Sequence, residues 1–357
     1  MEQSVLELVR HAELVGGYEI LAACTPAVSR RSDTLGTSDS RLELVLDVDL
    51  QSQRFARRQH PSAHTEASIE SRWQEQAAVL GDRLWNASKF RLAGIHHICQ
   101  HTSTVSIRTV YMQVGLTDYR AHQGTTLSPN ALERFHSIEE DAPWCHLANA
   151  IGNAGVLETR DGKIVCQRRS DKLGEASGLW VLPGGHPEPM NLDHHLDLSS
   201  AVRKEFFDAV IHEICDELNL DADTVSDPVL LGVVRRKADW RPTYACWART
   251  SLTADEVQDR WRQGGKDTAE STALQFLHSP TDDELLPNKD ACSSMLLEAC
   301  GLSNAEVRSD RHPRSISLRM VEDHRGALCL YWIQRIFRAG LLPSSHQSCE
   351  FLLRSAP

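Results

Sequence analysis

The order of elements in this chain is compatible with an α/β (α+β) fold, and three observations show that compatibility. Residues 155–159 and 163–167 flank Arg160-Asp161-Gly162, where the Asp-Gly step is a strong hairpin signal. A helical pattern runs from about Ser199 to Leu220. Apolar runs at 229–234, 244–247 and 274–277 read as further strands, with a helix at 253–263 opened by Thr253 or Ala254 and stopped by Gly264-Gly265.

The stretch from Gly178 to Leu220, GLWVLPGGHPEPMNLDHHLDLSSAVRKEFFDAVIHEICDELNL, organises the rest. It begins as an apolar strand-like run, turns at Pro183-Gly184-Gly185, carries Glu188 in a loop and enters the helix. On a wheel with Glu213 at zero and about 100° per residue, Glu217 lies about 40° away, Asp216 about 60° the other way and Glu205 about 80°. Val210, Ile214, Phe207, Leu218 and Ile211 fill the arc from about 60° to 160°, so a core face adjoins a carboxylate face, with Phe206 falling among the acids.

Like charges at i+3 and i+4 weaken a bare helix by about a few tenths of a kcal/mol per pair, which a hard divalent cation would relieve. An acidic face that is merely solvated needs no such partner. Here the surroundings point to a ligand. Two glycines let backbone approach it closely, Glu188 adds an oxygen from a second segment, and Mg²⁺ typically takes one or two carboxylates with waters and substrate phosphates. A pyrophosphate-metal site is the expectation.

These residues resemble the signature of the Nudix hydrolases, G-x5-E-x7-R-E-U-x-E-E-x-G-U with U apolar. Its C-terminal half matches His212 to Leu220, with His212 in place of Arg, Asp216 in place of Glu and Asn219 in place of Gly. Asn is the next best residue to Gly at a left-handed helix end. An insertion, 190–198, leaves the first glutamate of the signature without a secure counterpart. GGHPEP and EICDE-NL, together with WNASKFRL at 85–92, GLTDYR at 115–120, QRRS at 167–170 and AEST at 269–272, resemble the branch that hydrolyses UDP-glucose and UDP-galactose. The likeness runs over about 72–287 with gaps and returns at 326–331.

The resemblance implies a Nudix-type α/β/α sandwich with a mixed sheet plus an N-terminal lobe over the substrate. Residues 1–143 would form the lobe, 144–300 the hydrolase domain and 301–357 a C-terminal extension with a packing helix. It implies Mg²⁺, with Mn²⁺ as an alternative, bound by Glu213 and Glu217 with Asp216 assisting. Glu213 and Glu217 are then catalytic, and Glu270 is a candidate for base or water-positioning duty. Expected substrate contacts are Arg169, Gly174, His186 and Glu188. Phe90 and Tyr119 are carried over as base and ribose contacts, although both also read as ordinary core aromatics. Products would be UMP and a hexose 1-phosphate. Two other readings stay open: hydrolysis of ADP-ribose, a dinucleotide or CoA, and a non-catalytic nucleotide-binding module.

Length and composition bound the partners. At 357 residues with 41% hydrophobic content, the chain can build two lobes or one decorated fold around a substantial core. A net charge of -11 argues against nucleic acid as main partner and leaves a small anionic nucleotide to local arginines or metal. The ten cysteines show neither a CxxC pair nor zinc-site spacing, and reduced thiols in a cytoplasmic protein, possible in the nucleus as well, are the simplest account. No apolar leader or membrane-length run is expected, and the sequence does not fix an oligomeric state.

The remaining elements follow from pattern. Residues 42–50 read as a strand, 65–84 as a helix with Ile69, Trp73, Ala77 and Leu80 on one side, 85–92 as a loop entering a strand and 105–116 as a second strand. Helical patterns at 290–299 and 327–342 are separated by a charged stretch, 304–314, that looks like an insertion. The final helix, with Leu328, Tyr331, Trp332, Ile336 and Phe337, is expected to pack on the core.

Overall fold

The computed structural model describes residues 16–29, 34–37, 40–81, 84–101, 106–137, 144–171, 175–279 and 319–338, together with Val9, Glu13 and Ala142. Two mixed sheets and the helices against them form the described fold. The strands are β1 (Tyr18–Ser29), β2 (Thr34–Thr37), β3 (Ser40–Val48), β4 (Ser88–His101), β5 (Ser106–Asp118), β6 (Gly152–Glu158), β7 (Lys163–Arg169), β8 (Trp180–Val181), β9 (Val229–Arg236), β10 (Pro242–Arg249) and β11 (Ser271–His278). The helices are α1 (Ala63–Leu80), α2 (Tyr119–Gly124), α3 (Ala131–Phe135), α4 (Leu198–Leu218), α5 (Ala254–Gln263) and α6 (Glu322–Arg338).

The central sheet runs β1-β9-β10-β6-β7-β11, with β8 paired to β7. β10 is parallel to β6 and the other neighbours are antiparallel. A second sheet, β2-β3-β5-β4, comes from the N-terminal part. β1, which precedes the expected boundary at 143, is nevertheless an edge strand of the central sheet. β6 is buried along its whole length, as a strand covered on both faces must be.

Helix α4 starts at Asp197, whose side chain accepts from the Ser200 amide, and ends at Asn219 in the left-handed conformation, φ 55° and ψ 49°. It lies between the two sheets. Leu44, Leu46, Phe90, Met112 and Val114 of the N-terminal sheet and Leu157, Val165, Leu230, Tyr244 and Cys246 of the central sheet share one core with Val202, Phe206, Phe207, Val210 and Ile214. This double burial explains the apolar residue among the acids. Phe206 stacks on Tyr244, centroids 5.0 Å apart and 9° from parallel, and meets Phe90 edge-on at 5.4 Å.

On the opposite face of the central sheet, α6 packs Ala327, Leu328, Leu330 and Tyr331 against Ile20, Ala154, Val156, Ile164 and Val234. Gly326 permits the close approach, since a Cβ there would stand 2.9 Å from the Tyr18 ring. Buried Arg335 is held by Glu158 at 3.2 Å, and Asp323 accepts from Thr243 Oγ1 at 2.6 Å. The α/β/α sandwich is thus present, with the second sheet covering α4 as a further layer.

The hairpin at Gly162, φ +71°, and the box-capped helix at Thr253 stand where the sequence puts them. The run after Gly178 forms only a two-residue strand, because Gly178 turns at φ +70° on one side and Pro183 follows on the other. The expected helix at 290–299, the stretch 304–314 and residues 339–342 lie outside the described residues. Among the described residues no helix is long and apolar enough to cross a membrane.

Truncating a buried Phe typically costs about 3–5 kcal/mol. Phe206→Ala removes the ring that joins both sheets to α4, and equilibrium urea unfolding is expected to show a loss of that order.

Candidate active site

The glycine turn is built against β6. Gly155 donates to Pro183 O at 2.7 Å, Asn153 donates to Gly185 O at 2.9 Å, and the Gly185 amide returns to Asn153 Oδ1 at 3.0 Å. From the other side of the sheet, buried His324 accepts the Leu182 amide on Nδ1 at 2.8 Å. Contact constrains both glycines differently: a Cβ on Gly184 would fall 2.3 Å from the backbone Asn153 O, and one on Gly185 2.0 Å from Glu213 Oε1, the end of a flexible side chain.

This turn floors a cleft of about 260 Å³. Glu213 and Glu217 line one wall, joined by Asp267 and Glu270 from the short 3₁₀ turn before β11. Glu217 is 3% exposed, and its Oε2 accepts from Gln167 Nε2 at 2.6 Å and the Gly184 amide at 3.0 Å. Burial, then the charge of Glu213, raises its carboxyl well above the usual range despite those bonds. Burial, then Glu270 and Asp267, push Glu213 up to about 7. Crowded carboxylates with high proton affinity form a site that a cation stabilises.

Lys89, Arg169 and Arg241 line the cleft with them. Lys89, on β4 of the N-terminal sheet, pairs with Glu188 in the loop that leads into α4. β4 is anchored there by Arg91, buried and donating to the carbonyls of Phe55, Cys145 and Leu147, and by the Ile151 amide bonded to Phe90 O at 2.9 Å. Arg169 lies 3.5 Å from Glu270, while neighbouring Arg168 turns away toward Asp171. Glu205, beneath the loop, accepts the Glu188 amide at 2.8 Å.

No family model matches the chain. Nudix hydrolase 9 of Arabidopsis thaliana is 36% identical over 280 residues, 75% of this chain and 84% of that protein. The chain belongs to the Nudix hydrolases. Uridine diphosphate glucose pyrophosphatase NUDT22 of Homo sapiens is 34% identical over 217 residues, 57% of this chain and 69% of that protein. The Mus musculus protein of the same name is 35% identical over 205 residues, 55% and 65% respectively.

In this Nudix hydrolase, Glu213, Glu217, Glu270, Arg169, His186 and Glu188 from the sequence reading all meet at the cleft. Four of the expected site residues stand away from the cleft or outside the described residues. Asp216 does not line the cleft; its carboxylate turns to Lys266 Nζ at 2.5 Å, and Asp267 stands at the cleft instead. Phe90, expected as a base contact, does not line the cleft and is fully buried in the core between sheet and α4. Gly174 lies outside the described residues. Tyr119 is set back from the cleft, its hydroxyl taking a hydrogen bond from Gln123 at 2.7 Å. Its ring leads through His122, 6.3 Å away, to His186 a further 5.8 Å on.

Lys89, Glu175, Arg241 and Asp267 were not singled out from the sequence. Strand alternation holds the signal for Lys89, since one face of β4 buries Phe90 and the neighbouring residue must face the other way. Asp267 lies three residues from Glu270 on the same short turn, close enough to share its direction.

The donor set fits a hard divalent cation. Among the described residues no three His, Cys, Asp or Glu side chains form a ready cage, and Mg²⁺ needs none, since one or two carboxylates suffice with waters and phosphates. A Gly185→Ala substitution must displace the Glu213 carboxylate, whose flexible end yields more easily than the fold. Turnover is expected to fall about 100-fold with a thermal midpoint close to that of the parent, measured by steady-state kinetics and calorimetry.

Proposed function

We propose that this Nudix hydrolase cleaves the pyrophosphate bond of UDP-sugars, UDP-glucose and UDP-galactose, giving UMP and a hexose 1-phosphate. The observation that carries the reading is the 34% identity to human uridine diphosphate glucose pyrophosphatase NUDT22, together with a cleft whose acids and cations suit a metal-bound diphosphate. Glu213 and Glu217 would hold Mg²⁺, or Mn²⁺ in its place. When bound, the ion neutralises diphosphate charge and lowers the proton affinity of water. Asp216, tied to Lys266, is left out of this set.

Glu270 reaches the same cleft from a separate turn, and its partly exposed carboxylate is the group assigned to orient water and accept its proton. Arg169, beside it, supplies a guanidinium to the phosphates. His186 donates Nδ1–H to Ile151 O at 3.0 Å, and burial followed by the charges of Arg241 and Lys89 holds it well below the ordinary histidine range, so it serves as a neutral wall. Lys89 and Glu188 bring the N-terminal sheet to the substrate. Free thiols at Cys145, Cys166, Cys215 and Cys246 support a reducing compartment such as the cytoplasm.

Incubation of the purified chain with UDP-glucose and Mg²⁺ is expected to release UMP and glucose 1-phosphate, with ADP-ribose cleaved poorly. Glu213→Gln should lower turnover by at least about 100-fold with folding intact. Efficient cleavage of ADP-ribose alone would discard the UDP-sugar reading and keep the family chemistry.

A further inference from the structure

We propose that Arg241 is a diphosphate-binding residue of this cleft, aimed by Glu175 and His186; this rests on the cleft being a nucleoside-diphosphate site. Arg241 directly precedes Pro242, the first residue of β10, and a residue before proline is driven to extended backbone. The residue before it, Trp240, is left-handed at φ 61°, a conformation bulky side chains rarely adopt. Its ring is held by the Arg235 guanidinium at 4.5 Å and the Trp144 ring at 5.5 Å, and Asp239 Oδ1 accepts the Arg241 amide at 3.1 Å. The hairpin end is thus constrained at each residue that directs Arg241 inward.

The guanidinium is equally constrained. It passes over Gly152, where a Cβ would meet Nη2 at 3.0 Å. Nη1 pairs with Glu175, and Nη2 faces His186 Nε2 at 3.4 Å. Because His186 Nδ1 donates to Ile151 O, Nε2 carries the lone pair and can only accept from Arg241. Nε is buried without a hydrogen-bond partner.

The neighbouring charges fix the group in place. Glu175 is shared with Arg236 at 2.9 Å, and Arg236 has Asp239 at 2.8 Å as well, so two carboxylates hold the two guanidiniums. Lys89 is already matched by Glu188. Arg241, its Nε without a partner, brings a rigidly held guanidinium to a cleft whose other wall carries Glu213, Glu217, Asp267 and Glu270. A diphosphate between them meets a carboxylate-bound cation on one side and a rigid, planar donor on the other.

The test is calorimetric titration of wild type, Arg241→Lys and Arg241→Met with magnesium pyrophosphate, alongside steady-state kinetics on UDP-glucose. Pyrophosphate affinity is expected to fall about 10- to 100-fold in Arg241→Met and less in Arg241→Lys, with KM for UDP-glucose rising in step and kcat changing less. Unchanged affinity in a folded variant, or no pyrophosphate binding by wild type, overturns the proposal. If neither variant folds, a crystal structure of wild type with magnesium pyrophosphate decides: a phosphate oxygen in hydrogen-bond range of the guanidinium supports it, and phosphates elsewhere overturn it. Loss of pyrophosphate binding in the variants without UDP-glucose turnover by wild type would keep Arg241 and discard the UDP-sugar reading. Full turnover with unchanged KM would do the reverse.

Discussion

Helix α4 is held between two sheets, and that burial on both sides leaves its acids few places to go. Phe206 and Phe207 are taken up by the core that α4 shares with both sheets, and Glu217 is itself 3% exposed. Its carboxylate survives there because Gln167 and the Gly184 amide satisfy one oxygen, while the other wall of the cleft is a glycine turn with no side chain to fill it. The same turn is fixed from behind by His324 of α6, so the C-terminal helix, the central sheet and α4 all meet at the two glycines. Burial concentrates negative charge, and the raised proton affinities of Glu213 and Glu217 follow from it.

The N-terminal sheet matters to the site for the same reason. It covers α4, and in doing so carries Lys89 to Glu188. Arg91, on the same strand, shows how firmly that placement is held: a buried guanidinium answered by three backbone carbonyls from two separate loops. The cleft therefore depends on contacts between parts of the chain far apart in sequence, with acids from α4 and the turn before β11 and cations from β4, β7 and the start of β10.

Much of this was legible in the sequence where the signal is local. The Asp-Gly hairpin, the capped α5, the left-handed Asn219 and the Gly-Gly turn before an acidic helix each follow from neighbouring residues. What was not legible depends on partners distant in sequence. The wheel treated α4 as having one buried face, and so left Phe206 unexplained until the second sheet supplied Phe90 as its neighbour. That same contact removes Phe90 from the cleft and leaves the adjacent Lys89 facing it. Asp216 reads in the sequence as assisting Glu213 and Glu217, and only the position of Lys266 shows that its charge is already matched. Arg241 carried no motif, and its importance comes from Glu175 and His186, 66 and 55 residues away.

The α4 acids are proposed to hold a divalent cation against a diphosphate. Mn²⁺ binding followed by electron paramagnetic resonance, with and without pyrophosphate, on wild type and Glu217→Gln tests it most directly. Binding by wild type is expected to tighten with pyrophosphate and to be lost or much weakened in the variant. Equal Mn²⁺ binding by both proteins would contradict it.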